Sequence, residues 1–298
     1  MSTSVVKTSS GIWLAQVAVY PLAILACLAF LDWAAKSDFP MEAAQFIAFL
    51  TAIFVVMLCE HWMPFSQDWK RRIGSDRKID ILTLFSTMGV VFPALKNVGN
   101  LLAVVLVVWL FESPEAILFP TDLFFVTQLF MAAVIAEFGG YCLHRISHHF
   151  QVLWRFHLVH HSASRIYWMN AYRSHPINIS WHYLASIFVL LLIGVPQEVV
   201  LGYSGLAGVV SVFQHANVAF KFGPLNYIFS TNEVHRWHHS TKLSEADNNY
   251  GNVLMIWDHV FGTFYLRPNE SPASVGLHDT KGVPVHSFLK LMLYPFKR

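Results

Sequence analysis

Runs of about 20 mostly apolar residues recur along this chain, and that is the length an α-helix needs to cross the hydrocarbon core of a bilayer. Residues 12–31 and 43–63 qualify, and residues 123–143 form a further span that carries Glu137 inside it. Residues 79–111 are as apolar but are interrupted by Pro93, Lys96 and Asn97, which leaves the embedded part of this third span open. Residues 177–193 and 199–213, joined by Gly194-Val195-Pro196, read as a helical hairpin. The first run is too long for the apolar core of a signal peptide and reads as an anchor. The expected fold is therefore all-α and membrane-integral: four transmembrane helices plus the hairpin, capped by a cytoplasmic helical region. No repeat or linker divides residues 1–298, so a single domain is expected.

Composition agrees. Only 13% of the residues are charged, about half the share that keeps a soluble surface wet. The net charge of +2 gives no reason to expect nucleic acid. Cys27, Cys59 and Cys142 lie far apart, without the paired spacing of a disulfide framework or thiolate metal site.

Orientation follows from the short loops, because basic residues collect on the cytoplasmic side. Residues 64–80 hold Lys70, Arg71, Arg72, Arg77 and Lys78, and residues 144–176 hold Arg145, Arg155, Arg165 and Arg173. The loop at 112–122 has no base and three acids, Glu112, Glu115 and Asp122. With Lys7 inside, four spans put both basic loops and both termini in the cytoplasm.

On that same side fall dense clusters drawn from the chain's sixteen histidines. Ionisable groups at a membrane are costly and mark function by default. The clusters are His144-Arg-Ile-Ser-His148-His149, His157-Leu-Val-His160-His161 and His235-Arg-Trp-His238-His239. Residues three or four apart share a helix face. His157, His160 and His161 therefore point one way, as do His235, His238 and His239, and His144 aligns with His148. On a straight helix His149 is turned about 140° from His144; unwinding after Ser147 would re-aim it, so His149 is kept as a candidate metal ligand beside the other eight. One tetrahedral zinc would use at most four such ligands, so eight or more converging imidazoles fit two metal ions. A membrane zinc protease is disfavoured by the lack of His-Glu-x-x-His, and a carboxylate-rich di-iron bundle by the lack of Glu-x-x-His. Lone histidines such as His61, His182, His259, His278 and His286 read as interfacial residues, not ligands.

These three clusters resemble the histidine boxes of the fatty acid hydroxylase superfamily, which includes sterol desaturases and alkylglycerol monooxygenases. Arg173-Ser-His175-Pro176 resembles that family's Arg-x-His-Pro element, and Gln214-His215-Ala-Asn217 its lone-histidine motif. Asn249-Tyr250-Gly251 with Trp257-Asp258-x-x-Phe261-Gly262-Thr263 is similar to its closing signature, so the resemblance runs over residues 122–265. It implies a non-haem centre of two iron ions, which zinc can replace in a purified sample, and O2 as co-substrate. It also implies hydroxylation or desaturation of a C–H bond in a lipid such as a sterol, fatty acyl chain or ether lipid. By softness alone imidazole suits zinc, copper, nickel and iron alike.

The resemblance makes His215 an expected ligand beside the boxes. His175 is either a ligand, a group supporting one, or a structural turn residue. Glu137, Tyr141, His144 and His148 form one helical stripe, so Glu137 either orients a ligand imidazole or bonds a neighbouring helix. Asp258 is expected to fix its own turn, and Arg145 and Arg236 to meet solvent or lipid phosphate at the interface. The aromatic tail at 288–296 suits a helix lying on the membrane surface. No flavin or nucleotide fingerprint occurs, so electrons must come from an external donor of cytochrome b5, ferredoxin or reductase type. The competing class is a non-catalytic zinc transporter or sensor. Transport ligands belong near the bilayer midplane, whereas these histidines gather at one edge. Sidedness is testable: in cells, a cysteine placed at Ser113 should label from outside and one at Ser240 should not; the reverse pattern overturns the topology.

Overall fold

The structure, a computed structural model, describes residues 10–71, 75–111 and 118–297. Lys7, Arg72, Glu112, Ser113, Glu115 and Arg298, invoked above for orientation and anchoring, lie outside them. The described residues form helices and loops with only isolated β-bridges. Helices α1 (Ser10–Ala35) and α2 (Met41–Trp62) are followed by the short α3 (Gln67–Arg71). Then α4 (Ser75–Ser86), a π-turn (Thr87–Val91) and α5 (Phe92–Phe111) run end to end, and α6 (Phe125–His149) follows. Among the described residues, four helices are long and apolar enough to cross a membrane: Gly11–Ala35, Met41–Trp62, Asp76–Leu110 and Phe125–His149.

The third of these passes through the interruption that the sequence left open. Pro93 has no N–H to give the carbonyl four residues back, at Gly89, and its ring crowds that carbonyl. The helix widens into the π-turn just before Pro93 and then continues. Lys96 reaches Glu42 of α2 at 3.3 Å.

The hairpin is built from α8 (Pro176–Ala185), α9 (Ile187–Leu192) and α10 (Gln197–Gln214). Its second arm is the centre of the bundle and packs on α1, α2 and α6. On α2, Ala44, Ala48, Ala52 and Val56 are buried while Phe46, Leu50, Phe54 and Met57 are exposed. Gly205 and Gly208 of α10 lie close to α2: a Cβ on Gly205 would come within 3.0 Å of Gln45, and one on Gly208 within 3.5 Å of Phe49. Small residues let membrane helices approach closely when no hydrophobic force separates protein from lipid. The large exposed stripe is the face suited to acyl chains.

The polar cap holds α7 (Gln151–His161), α11 (Asn232–His238), α12 (Leu243–Ala246), α13 (Ile256–Val260) and α14 (Phe288–Leu293). Only Phe150, in extended conformation, separates α6 from α7, so the first two histidine boxes flank one sharp corner. Arg173 is not a loop cation at the surface: it is fully buried, 2.9 Å from Asp80 of α4. Tyr167 and Asn170 donate to the same carboxylate at 2.6 and 3.1 Å. Such satisfaction is what makes a buried pair tolerable, and it pins the segment after α7 to the third span. In the tail, Leu291 packs with Ile79, Leu158 and Val159, while Leu289, Leu293 and Phe296 stay exposed.

Gly139 of α6 lies where a Cβ would collide with the backbone carbonyl of Ala185, at the end of α8. Gly139→Ala must push these helices apart, at a cost of about 1–3 kcal/mol for overpacking. A lowered thermal midpoint and a reduced yield of folded protein in detergent are expected; an unchanged midpoint would refute this contact.

Candidate metal centre

Each box is placed by a local device. Thr231 caps α11 by accepting from the Val234 N–H at 3.3 Å, the usual role of a threonine before a first turn. Asn232 donates to the carbonyls of Ala216 and Val218, both at 3.0 Å, which brings His215 beside the third box. Helix α6 stays helical to His149, so the first box keeps straight-helix geometry.

Nine histidines then converge in two groups. His144, His148, His157, His161 and His238 form one; His160, His215, His235 and His239 form the other, and within each group the ligand atoms lie within 4.8 Å of one another. In the first group the Nε2 of His157 is 3.1 Å from that of His144 and 3.2 Å from that of His161. In the second, the Nε2 of His235 lies 3.0 Å from that of His215 and 2.9 Å from that of His239, with His160 to His215 at 3.4 Å. Ligands about 2.0–2.1 Å from one ion stand about 2.9 Å apart at a right angle and about 3.4 Å apart at the tetrahedral angle. The separations match that range. The Nε2 atoms of His148 and His238 are buried without a protein partner, and both rings lie against His161 with centroids 4.9 and 4.8 Å away. Orphaned acceptors are costly, and a cation between the rings would supply what they lack. Burial first, and neighbouring imidazoles second, hold His157, His161, His235, His238 and His239 well below the ordinary histidine value; His160 is lowered likewise. The rings are therefore neutral at pH 7, the form that ligates metal.

The opposite ring nitrogens fix the orientation. The Nδ1 of His144 bonds the carbonyl of Tyr250 at 2.8 Å, that of His238 the carbonyl of Asn248 at 2.8 Å, and that of His215 the carbonyl of Ser211 at 3.0 Å. His160 uses the carbonyl of Arg173 at 3.3 Å and His148 the carboxylate of Asp247 at 3.1 Å. The Asn248–Val253 loop is itself anchored. Glu137 accepts from the N–H groups of Asn252 and Val253 and from Tyr203 of α10, at 2.8, 2.9 and 2.7 Å. Asp258 accepts from Tyr250, Gly251 and Thr263 at 2.9, 2.8 and 2.7 Å. Asn249, at a left-handed φ of 58°, ties the loop to Val234 and Tyr265.

Other candidates fall elsewhere. His149 is exposed and outside both groups, because an unbroken α6 turns it away; it is corrected here from ligand to bystander. His175 belongs to neither group: its Nδ1 caps α8 by accepting from Ile177 at 3.1 Å, and its Nε2 bonds the Met292 carbonyl at 3.0 Å. Glu137 supports His144 through the loop, not by touching an imidazole. Tyr141 bonds Thr263 at 2.9 Å and accepts from Arg145 at 3.2 Å, away from the metal-facing nitrogens. Arg236 is buried, not interfacial, with its guanidinium 4.0 Å above Phe65. Sequence reasoning missed Asp247 and His182. The second lies against His144 and His157, with ring centroids 5.7 and 6.2 Å apart; its place one turn after Asn178 on a short apolar helix gave no motif.

A cavity of about 770 Å³ ends at these rings and is walled there by His144, His157, His160, His182, His215 and His235. It follows one face of α10 from Gln197 past Leu201, Ser204 and Gly208 to His215, about 27 Å at 1.5 Å per residue. Phe46, Phe49, Met88, Phe92, Ile187 and Leu191 make its middle apolar, and Glu42, Lys96 and Gln197 mark its remote end.

Helices of this kind, closed at one end by clustered neutral histidines, define a multi-pass membrane protein with a histidine metal site. The fatty acid hydroxylase family model matches residues 129–263. An ornithine lipid hydroxylase, OlsE, of Rhizobium tropici is 33% identical over 94% of this chain and 83% of its own length. Human alkylglycerol monooxygenase is 32% identical over 43% of the chain and 28% of its own length, and the Danio rerio protein 28% identical over 56% and 36%. The chain belongs to the fatty acid hydroxylase superfamily. No solved structure gives a significant match.

The two adjacent histidines of the first box separate ligand from bystander. His149→Ala should retain the metal content of the parent protein, and His148→Ala should lose metal from its group. Elemental analysis of both purified variants decides it, the opposite pattern placing the ligand at His149.

Proposed function

We propose that this protein is an O2-dependent oxygenase that hydroxylates a C–H bond of a membrane lipid with two iron ions. Ornithine lipid, for which its relative is named, is the first substrate to test. The observation that carries the reading is the junction of a long apolar cavity with two groups of converging Nε2 atoms. His144, His148, His157, His161 and His238 would hold one ion, and His160, His215, His235 and His239 the other. Bound there, a redox-active metal pair would supply the oxidising power for O2 to attack an unactivated carbon.

The chain's own part is holding and excluding. Carbonyls and carboxylates behind the rings keep each imidazole aimed, so little rearrangement is needed when ligands bind. The apolar middle of the cavity excludes water and lays an extended chain along α10. One oxygen atom enters the lipid and the other leaves as water, which takes two electrons and two protons from outside the chain. An external donor on the cytoplasmic side is proposed, a side favoured for the boxes by the basic residues of the neighbouring loops. The hydroxylase and monooxygenase names of the relatives favour oxygen insertion over desaturation. Placement of the ligands at one end of the cavity favours an enzyme over a transporter.

Expression in a host that makes ornithine lipid, followed by lipid mass spectrometry, tests this. A species heavier by one oxygen atom should appear with the parent chain and vanish with His148→Ala. Protein purified without chelator should carry about two metal ions, iron among them. Metal near zero in folded protein, or unaltered lipids across a panel of sterols, acyl lipids and ether lipids, would refute the reading.

A further inference from the structure

Helix α6 carries two consecutive glycines, and only one has a packing reason. Gly139 lies against the Ala185 carbonyl, where no side chain fits. A Cβ on Gly140 would meet nothing within 4 Å. A glycine inside a helix is less favourable than alanine, so one that no neighbour demands calls for another explanation.

Its surroundings supply one. Gly140 lines the cavity, together with Ala136, Glu137 and His144 of the same helix. These positions sit at i−4, i−3 and i+4 from it and share its face. Ala136, Glu137 and His144 are all buried, and Phe138, on the other side, is exposed. The open space beside Gly140 is therefore cavity, one helical turn before His144.

We propose that Gly140 is the specificity-determining position of the site, its lone hydrogen leaving the gap beside His144 in which the substrate's reacting segment lies. The occupant is a flexible, unbranched lipid segment, since the gap continues into the long apolar channel along α10. This rests on the lipid-oxygenase reading above. A structural glycine and a substrate-clearing glycine respond oppositely to a methyl group. Filling structural space lowers stability, whereas here Gly140→Ala improves helix propensity and touches nothing. One carbon added to a substrate pocket costs about tenfold or more in discrimination.

The test uses full-length Gly140→Ala and Gly140→Leu, with ornithine lipid as probe. Thermal midpoint, metal content, lipid retained in native mass spectrometry and turnover are measured for each. Expected are a midpoint at or above that of the parent and unchanged metal. Turnover should fall about tenfold in Gly140→Ala, and by more than about a hundredfold, with loss of retained lipid, in Gly140→Leu. Parent-like lipid retention and turnover in Gly140→Leu would overturn the proposal, as would a lowered midpoint in Gly140→Ala. A parent protein that retains lipid without oxidising it would overturn the oxygenase reading alone, and the retention comparison would still judge Gly140. A parent that retains none overturns both.

Discussion

An imidazole has two nitrogens, and in this protein the one facing away from the centre decides where the other points. Five of the nine converging rings give Nδ1 to a protein oxygen, and four of those oxygens are backbone carbonyls. A carbonyl cannot change rotamer, so the ligand geometry is written into the path of the main chain. That is why the residues supporting the site are so often remote from it. Glu137, Asp258 and Asn249 touch no metal-facing nitrogen, yet together they hold the loop whose carbonyls fix His144 and His238.

The membrane bundle provides the frame for this cap. Its helices present small residues to one another and large apolar ones outward, so α2 and α10 come close while the cavity opens beside them. The cap is bound to the bundle by polar contacts placed where no lipid competes. The buried Arg173–Asp80 pair joins the segment behind His160 to the third span, and Glu60 of α2 accepts from the N–H groups of Trp168 and Asn217, both at 2.9 Å. Such buried networks are sensitive to loss of any single member.

Much of this was legible in the sequence because two periodicities are strong. Twenty-residue apolar runs located the spans, and three- and four-residue histidine spacing located the rings that share a face. For His149 the rule could not decide alone, because its direction depends on whether α6 stays helical past Ser147. What was not legible depends on contacts between distant segments. Pro93 looked like an interruption because the compensating π-turn has no sequence signature of its own. Arg173 counted only as one more basic residue of its loop, because its partner Asp80 lies 93 positions away. His182 belongs to no histidine cluster, and only the approach of α8 to α6 and α7 puts it beside His144 and His157.

The two ligand groups share their scaffold unequally. Helix α7 gives His157 and His161 to one group and His160 to the other, while the third box gives His238 to one and both His235 and His239 to the other. Neither group can be ordered without also ordering rings of its neighbour. An ion held by one group would therefore reduce the conformational entropy that the other still has to lose, and occupancy of the two would be positively cooperative. During metal loading, half-filled molecules would be scarce compared with empty and fully occupied ones.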